Sequence, residues 1–172
     1  MTVLVTAASK YGSTWQIAVA IAECLERNGI AAEVVRLGED LDPAGYEAVV
    51  VGSGVYAGKW LQSGRRFLTE NLQALRSRPV WIFSSGPIGS PPRPAEKDAV
   101  HIESLVELVG AREHRLFTGE LVHERLSLLE RAVVKAVHVP DGDFRDWAAI
   151  DSWATQIAGE LSTSAAVPKP VA

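Results

Sequence analysis

The feature that most constrains this chain is its opening. An apolar run, Val3-Leu4-Val5-Thr6-Ala7-Ala8, passes through a short polar turn, Ser9-Lys10-Tyr11-Gly12-Ser13-Thr14, into a helical pattern. A strand that enters a helix through a hydroxyl-rich turn leaves the first-turn N–H groups without intrahelical acceptors. Those groups lie at the positive end of the helix dipole, so the turn is an anion site. In doubly wound α/β proteins the first strand-to-helix junction is where a phosphate is held.

The rest of the chain repeats the alternation. Strand-like runs are expected at Thr2–Ala7, Ala32–Arg36, Ala48–Val51, Val80–Phe83 and Arg115–Gly119. Helical patterns fall at Thr14–Asn28, Leu61–Leu75, Ala99–Leu108 and Trp147–Leu161. In the first helix Ile17, Ala18, Ile21, Ala22 and Leu25 share one face, and Asn28-Gly29 stops it. In the second, Phe67, Leu68, Leu72 and Leu75 point inward. In the last, Ile150, Trp153, Ala154, Ile157 and Leu161 do so, with Asp146 as N-cap. Leu37–Gly45 reads as a polar connection, and Gly86–Pro94, with four prolines and two glycines, as irregular loop. Five strands alternating with helices predict an α/β fold: a five-stranded parallel sheet with helices on both faces. At 172 residues there is room for one such domain. Residues 1–161 are assigned to it and 162–172 to a flexible tail. Residues 121–142 are a surplus insert whose middle, Leu126–Val137, reads as a helix. That helix either packs on its own domain, the preferred reading, or meets a partner, quinone or membrane surface. Arg125, Arg131, Lys135 and His138 would give it a basic side.

Composition excludes several classes. The net charge of −4 argues against nucleic acid. Cys24 is the only cysteine, which excludes an intramolecular disulfide and cysteine-rich metal sites, and its place in the first helix predicts a small core residue. No N-terminal stretch has the basic-then-apolar form of a signal peptide, and no apolar run reaches bilayer length, so a cytoplasmic protein is expected, with at most peripheral membrane contact.

Three loops at the carboxyl ends of the first, third and fourth strands would line one crevice. Loop one offers the hydroxyls of Ser9, Ser13 and Thr14, the tight turn of Gly12, and Lys10 and Tyr11. It lacks the G-x-x-x-x-G-K-[ST] and G-x-G-x-x-G patterns, so a terminal monophosphate fits better than a pyrophosphate. Lys10 either adds charge there or is simply solvated. Loop two, Gly52–Trp60, contains Ser53, Gly54, Val55, Tyr56, Ala57 and Gly58; its glycines would expose backbone groups to the edge of a flat heteroaromatic ring. Tyr56 is the better candidate for ligand contact, and Trp60 either stacks on the ligand or packs the following helix. Loop three, with Ser84, Ser85, Gly86 and Gly89, either lines the same ligand or is rigid structure only. The four histidines show no metal spacing, there is no G-x-S-x-G, and no acid–base constellation appears. A cofactor cleft without such apparatus leaves the chemistry to the cofactor, which points to flavin mononucleotide (FMN): one phosphate, a ribityl chain and a redox-active ring.

The opening V-L-V-T-A-A-S-K-Y-G-S-T-W-Q-I-A resembles the flavodoxin phosphate loop, with Lys10-Tyr11-Gly12-Ser13 in place of a run of threonines. V-V-V-G-S-G-V-Y-A-G-K-W and the Asp146-Trp147 helix start are similar to the flavodoxin-domain subfamily that includes menaquinone-dependent protoporphyrinogen oxidase. The resemblance covers about residues 1–161 and implies a flavodoxin-like three-layer sandwich. It also implies FMN bound non-covalently, with its phosphate on Ser9–Thr14 and its ring against loops two and three. The implied activity is an oxidoreductase passing electrons from an organic substrate through flavin to a quinone or other acceptor. The alternative is an electron carrier that docks on redox partner proteins. Three departures stand out: loop three has no aromatic residue, the insert is only moderately basic for docking on a quinone-bearing membrane, and the net charge is less acidic than carrier flavodoxins would lead one to expect.

Overall fold

The computed structural model describes residues 1–38, 41–56, 58–86, 102–125, 128, 131 and 141–166. Five parallel strands form the sheet in the order β2-β1-β3-β5-β6: β1 Thr2–Ala8, β2 Ala31–Val34, β3 Ala48–Tyr56, β5 Val80–Ser85 and β6 Glu113–Phe117. A two-residue strand, β4 (Lys59–Trp60), folds back antiparallel on the end of β3. Helix α1 (Ser13–Arg27) and the last helix, α5 (Trp147–Ala166), cover one face. Helices α2 (Gln62–Glu70), α3 (Leu72–Arg76) and α4 (Glu103–Val109) cover the other. This is the α/β sandwich expected from the alternation.

Alternate residues of the strands feed two cores. Val3, Val5, Ala48, Val50, Trp81 and Phe83 face α1 and α5, meeting Ile17, Ile21, Leu25, Trp153 and Ile157. Leu4, Val49, Val51, Val80 and Ile82 face α2–α4, meeting Phe67, Leu68, Leu75 and Val109. A strand buried on both sides needs apolar residues at every position, hence the unbroken β-branched runs. Truncating a fully buried leucine such as Leu25 to alanine costs about 2–5 kcal/mol. Cys24 is buried, as expected of a core residue.

Several boundaries differ from the sequence expectation. Strand β3 runs on through Gly52, Ser53 and Gly54 to Tyr56, and β5 includes Ser84 and Ser85, so much of loops two and three is strand. The expected Leu61–Leu75 helix is two helices, broken at Asn71, whose backbone and side-chain N–H groups both donate to the Phe67 carbonyl. Helix α5 continues to Ala166, five residues into the expected tail. Among its described residues the β2-to-β3 connection carries a 3-10 turn, Pro43–Gly45, N-capped by Asp42. The insert is closed at its neck by two short antiparallel strands, β7 (Glu120–Leu121) and β8 (Gly142–Asp143). Most of the expected Leu126–Val137 helix, and the proline-rich stretch after Gly86, lie outside the described residues.

Candidate functional site

From β1 the chain moves outward to β2, then returns to β3 on the other side. Strands β1 and β3 are therefore a topological switch point, and their carboxyl ends open the crevice where such sheets bind ligands. Ala8 lies opposite Ser53 at that edge.

The β1–α1 turn is arranged around Gly12, which adopts φ 93°, a left-handed conformation that side chains disfavour. Its N–H donates to Ser9 Oγ at 3.0 Å. The first intrahelical bond runs from Gln16 N–H to the Gly12 carbonyl at 3.0 Å. The N–H groups of Ser13, Thr14 and Trp15 thus precede the helical ladder and point out of its positive end. No side chain caps them, and no acidic residue stands in the first turn to neutralise the dipole. A phosphate ester supplies both missing elements, acceptor oxygens and negative charge, so this turn fits FMN's phosphate.

The aromatic residues at the edge form a cluster. The Tyr11 and Tyr56 rings meet edge to face at 6.4 Å, and the Lys10 ammonium lies 5.0 Å from the first ring and 5.6 Å from the second. Gly54 brings the turn and β3 together. A Cβ there would lie 3.2 Å from Thr14 Oγ1 and 3.1 Å from the Tyr56 ring. Ser9, Lys10, Tyr11, Gly12, Ser13, Thr14, Gly54 and Tyr56 are thereby gathered at one place.

Other predicted residues have different roles. Gly52 and Gly54 do not present free backbone to a ring, because both are paired in the sheet, with Phe83 and Ser85 across the ladder. Gly52 makes room instead for the Phe83 ring, which a Cβ would strike at 2.1 Å. Ser53 is fully buried; its hydroxyl donates to the Gly54 carbonyl and accepts from Leu61 N–H. Ser84 is also fully buried and accepts from Trp60 Nε1 at 2.8 Å, with His114 Nε2 2.8 Å away. Trp60 is a core residue at 3% exposure, so of its two readings the structure has the packing one. Val55 and Tyr56 pair with β4, and Gly58 turns the hairpin. Ser85 is buried, and Gly86 N–H donates to the Phe117 carbonyl. Ala57 and Gly89 lie outside the described residues.

Sequence reading missed Arg145. Its side chain is only 5% exposed and lies against α1: it donates to Gln16 Oε1 and, at 3.4 Å, to the Ser13 carbonyl. Its fork also grips Asp143, with both bonds at 2.7 Å, and holds that carboxyl below the usual carboxylate range. Asp143 two residues before Arg145 is the only local signal of this pair; the contact to α1 has none. Among the described residues no cluster of metal-ligating side chains occurs, and no helix is long and apolar enough to cross a membrane.

The family model for the flavodoxin domain matches residues 4–147. The chain belongs to the flavodoxin-domain family. FMN is the cofactor this membership implies, and the uncapped turn of α1 suits its phosphate. A flavodoxin from the domain Archaea is similar in structure, with a TM-score of 0.62 at 16% identity over 94% of this chain and 99% of that one. Rubredoxin oxygen:oxidoreductase from Desulfovibrio gigas is similar at a TM-score of 0.65 and 14% identity; 96% of this chain matches 37% of that protein. A Streptococcus pneumoniae flavodoxin gives a TM-score of 0.57 at 14% identity over 95% of this chain and 99% of that one. At these identities the likeness is one of fold. No curated protein matches the sequence.

In this flavodoxin-like electron-transfer fold, bound FMN supplies the redox chemistry at its ring. The protein's share is to bind and orient. The backbone of Ser13–Trp15 and the hydroxyls of Ser9, Ser13 and Thr14 would hold the phosphate, and Tyr56 would lie against the ring.

Proposed function

We propose that this protein is an FMN-dependent oxidoreductase of the protoporphyrinogen-oxidase-like type, moving electrons from an anionic organic substrate to a quinone or other acceptor. The observation that carries this reading is the charge at the carboxyl edge. Lys10, Arg36 and Lys59 are all exposed there, on a chain whose net charge is −4. Arg36 is braced over the Trp15 ring at 4.4 Å and Lys10 over two tyrosines, so two of the three cations are held rather than free-swinging. Cations around a flavin seat attract a carboxylated substrate. The reading places the protein in the cytoplasm, with contact to a quinone-bearing membrane at most peripheral.

The second reading is an electron carrier docking on redox partner proteins. It is favoured by the whole-length match to stand-alone flavodoxins. One experiment separates the two. The FMN-loaded protein is mixed anaerobically with protoporphyrinogen and menadione, and in parallel with a flavodoxin reductase. Porphyrin formation well above the uncatalysed rate supports the oxidoreductase. Rapid reduction by the reductase without porphyrin formation supports the carrier.

A further inference from the structure

We propose that Arg145 is a positioning residue for cofactor binding: it locks the first turn of α1 in its phosphate-ready form by tying it to the neck of the 121–142 insert. The proposal rests on the FMN reading above.

Two contacts, one from each side of the neck, converge on Ser13. The N–H of Glu120, in β7, donates to Ser13 Oγ at 3.0 Å. The Arg145 guanidinium, two residues past β8, donates to the Ser13 carbonyl and to the Gln16 side chain. These partners are 107 and 132 residues from Ser13 in sequence, so the neck adds long-range contacts to the local Gly12–Ser9 geometry of this turn. The neck is itself braced: Phe144 N–H donates to the Gly119 carbonyl at 3.1 Å, and Thr118 Oγ1 donates to the Phe144 carbonyl.

Arg145 is built into this position. Burying a guanidinium is costly unless its donors are used and its charge is matched. Nε and one terminal nitrogen grip Asp143, Glu120 stands at 4.0 Å, and the guanidinium stacks on the Trp147 ring at 4.5 Å. Its charge is therefore balanced locally, and its effect on a phosphate is through geometry.

That geometry has a chemical consequence. A serine hydroxyl carries one hydrogen. Because Ser13 Oγ accepts from Glu120, its hydrogen is left to donate elsewhere, to a phosphate oxygen at the mouth of the turn. Holding the Ser13 carbonyl and Gln16 fixes the same helical turn whose free N–H groups face that oxygen. Pre-ordering of this kind lowers the entropic cost of binding the phosphate and leaves the ring contacts unaffected.

The test compares FMN with riboflavin, which lacks the phosphate, as ligands of the full-length apo-protein. Wild type should bind FMN much more tightly; equal affinities would sink the phosphate-turn reading itself and Arg145's role with it. Given that preference, Arg145→Met should weaken FMN about tenfold and leave riboflavin within about twofold, with Arg145→Lys in between. In a cycle with Ser13→Ala the two losses should be less than additive, because both act on one turn. Equal loss of both ligands, unchanged FMN affinity, or strictly additive losses would overturn the proposal. Should Arg145→Met not fold, Arg145→Lys decides alone by the same FMN-to-riboflavin comparison.

Discussion

The β1–α1 turn and the β3–β4 hairpin stand side by side at the carboxyl edge and treat their polar groups in opposite ways. In the hairpin, Ser53 bonds Leu61 and Gly54, Trp60 donates to Ser84 of the neighbouring β5, and the backbone through Gly54 is paired in the sheet. In the turn, three helix-opening N–H groups have no capping side chain, and the first turn holds no acidic residue. Both segments are rich in serine and glycine, yet one completes the core and the other remains open to an anion. A polar, glycine-rich stretch marks a ligand site only where the fold leaves its hydrogen bonds unmade.

The largest expected effect tests the hairpin side. Gly52→Ala drives a methyl into the Phe83 ring, which is already packed against Phe117 and Trp153. It should cost about 3 kcal/mol of stability in urea unfolding. A near-neutral result would mean that Gly52 serves the ligand rather than the core. On the turn side, Thr14→Val should weaken FMN by about 1.5–3 kcal/mol, roughly ten- to a hundredfold, through loss of a hydrogen bond to a charged group. Unchanged affinity in titration calorimetry would place the phosphate elsewhere. Ser84→Ala leaves the buried Trp60 N–H without its acceptor and should lower stability by about 1–3 kcal/mol. Its effect on FMN affinity should be smaller than that of Thr14→Val; a reversed ranking would erase the contrast between the two segments.

The smallest effect concerns pH. Arg145 depresses the Asp143 pKa, chiefly by side-chain hydrogen bonding. A depressed carboxylate contributes stability above its unfolded pKa, about 3.9, and loses that contribution as pH falls through the folded value. The difference in melting temperature between wild type and Asp143→Asn should therefore be present at neutral pH and shrink below about pH 4. A difference that persists in acid would show that the clamp does not depend on the ionised carboxylate.

Periodicity made much of this molecule legible before its structure. The buried faces of α1 and α5 are the ones expected, and Asp146 accepts from Ala149 N–H at 2.9 Å as the cap of the last helix. The open turn was also readable, since strand, hydroxyls, glycine and helix follow one another locally. What was not readable depends on distant partners. β3 runs through Gly52 because Phe83 fills the space a side chain would take. Glycine and serine disfavour strands in isolation, so Gly52–Tyr56 read as a loop. Trp60 packs inward because Ser84, on another strand, accepts its N–H. Arg145 reaches α1 from the far end of the chain, and no spacing in the sequence announces it.

The central claim is that FMN enters phosphate-first onto the helix-opening amides. A crystal structure of the FMN complex tests it most directly. The account predicts phosphate oxygens about 3 Å from the N–H groups of Ser13, Thr14 and Trp15. A phosphate seated away from that turn, with those amides still facing solvent, would contradict it.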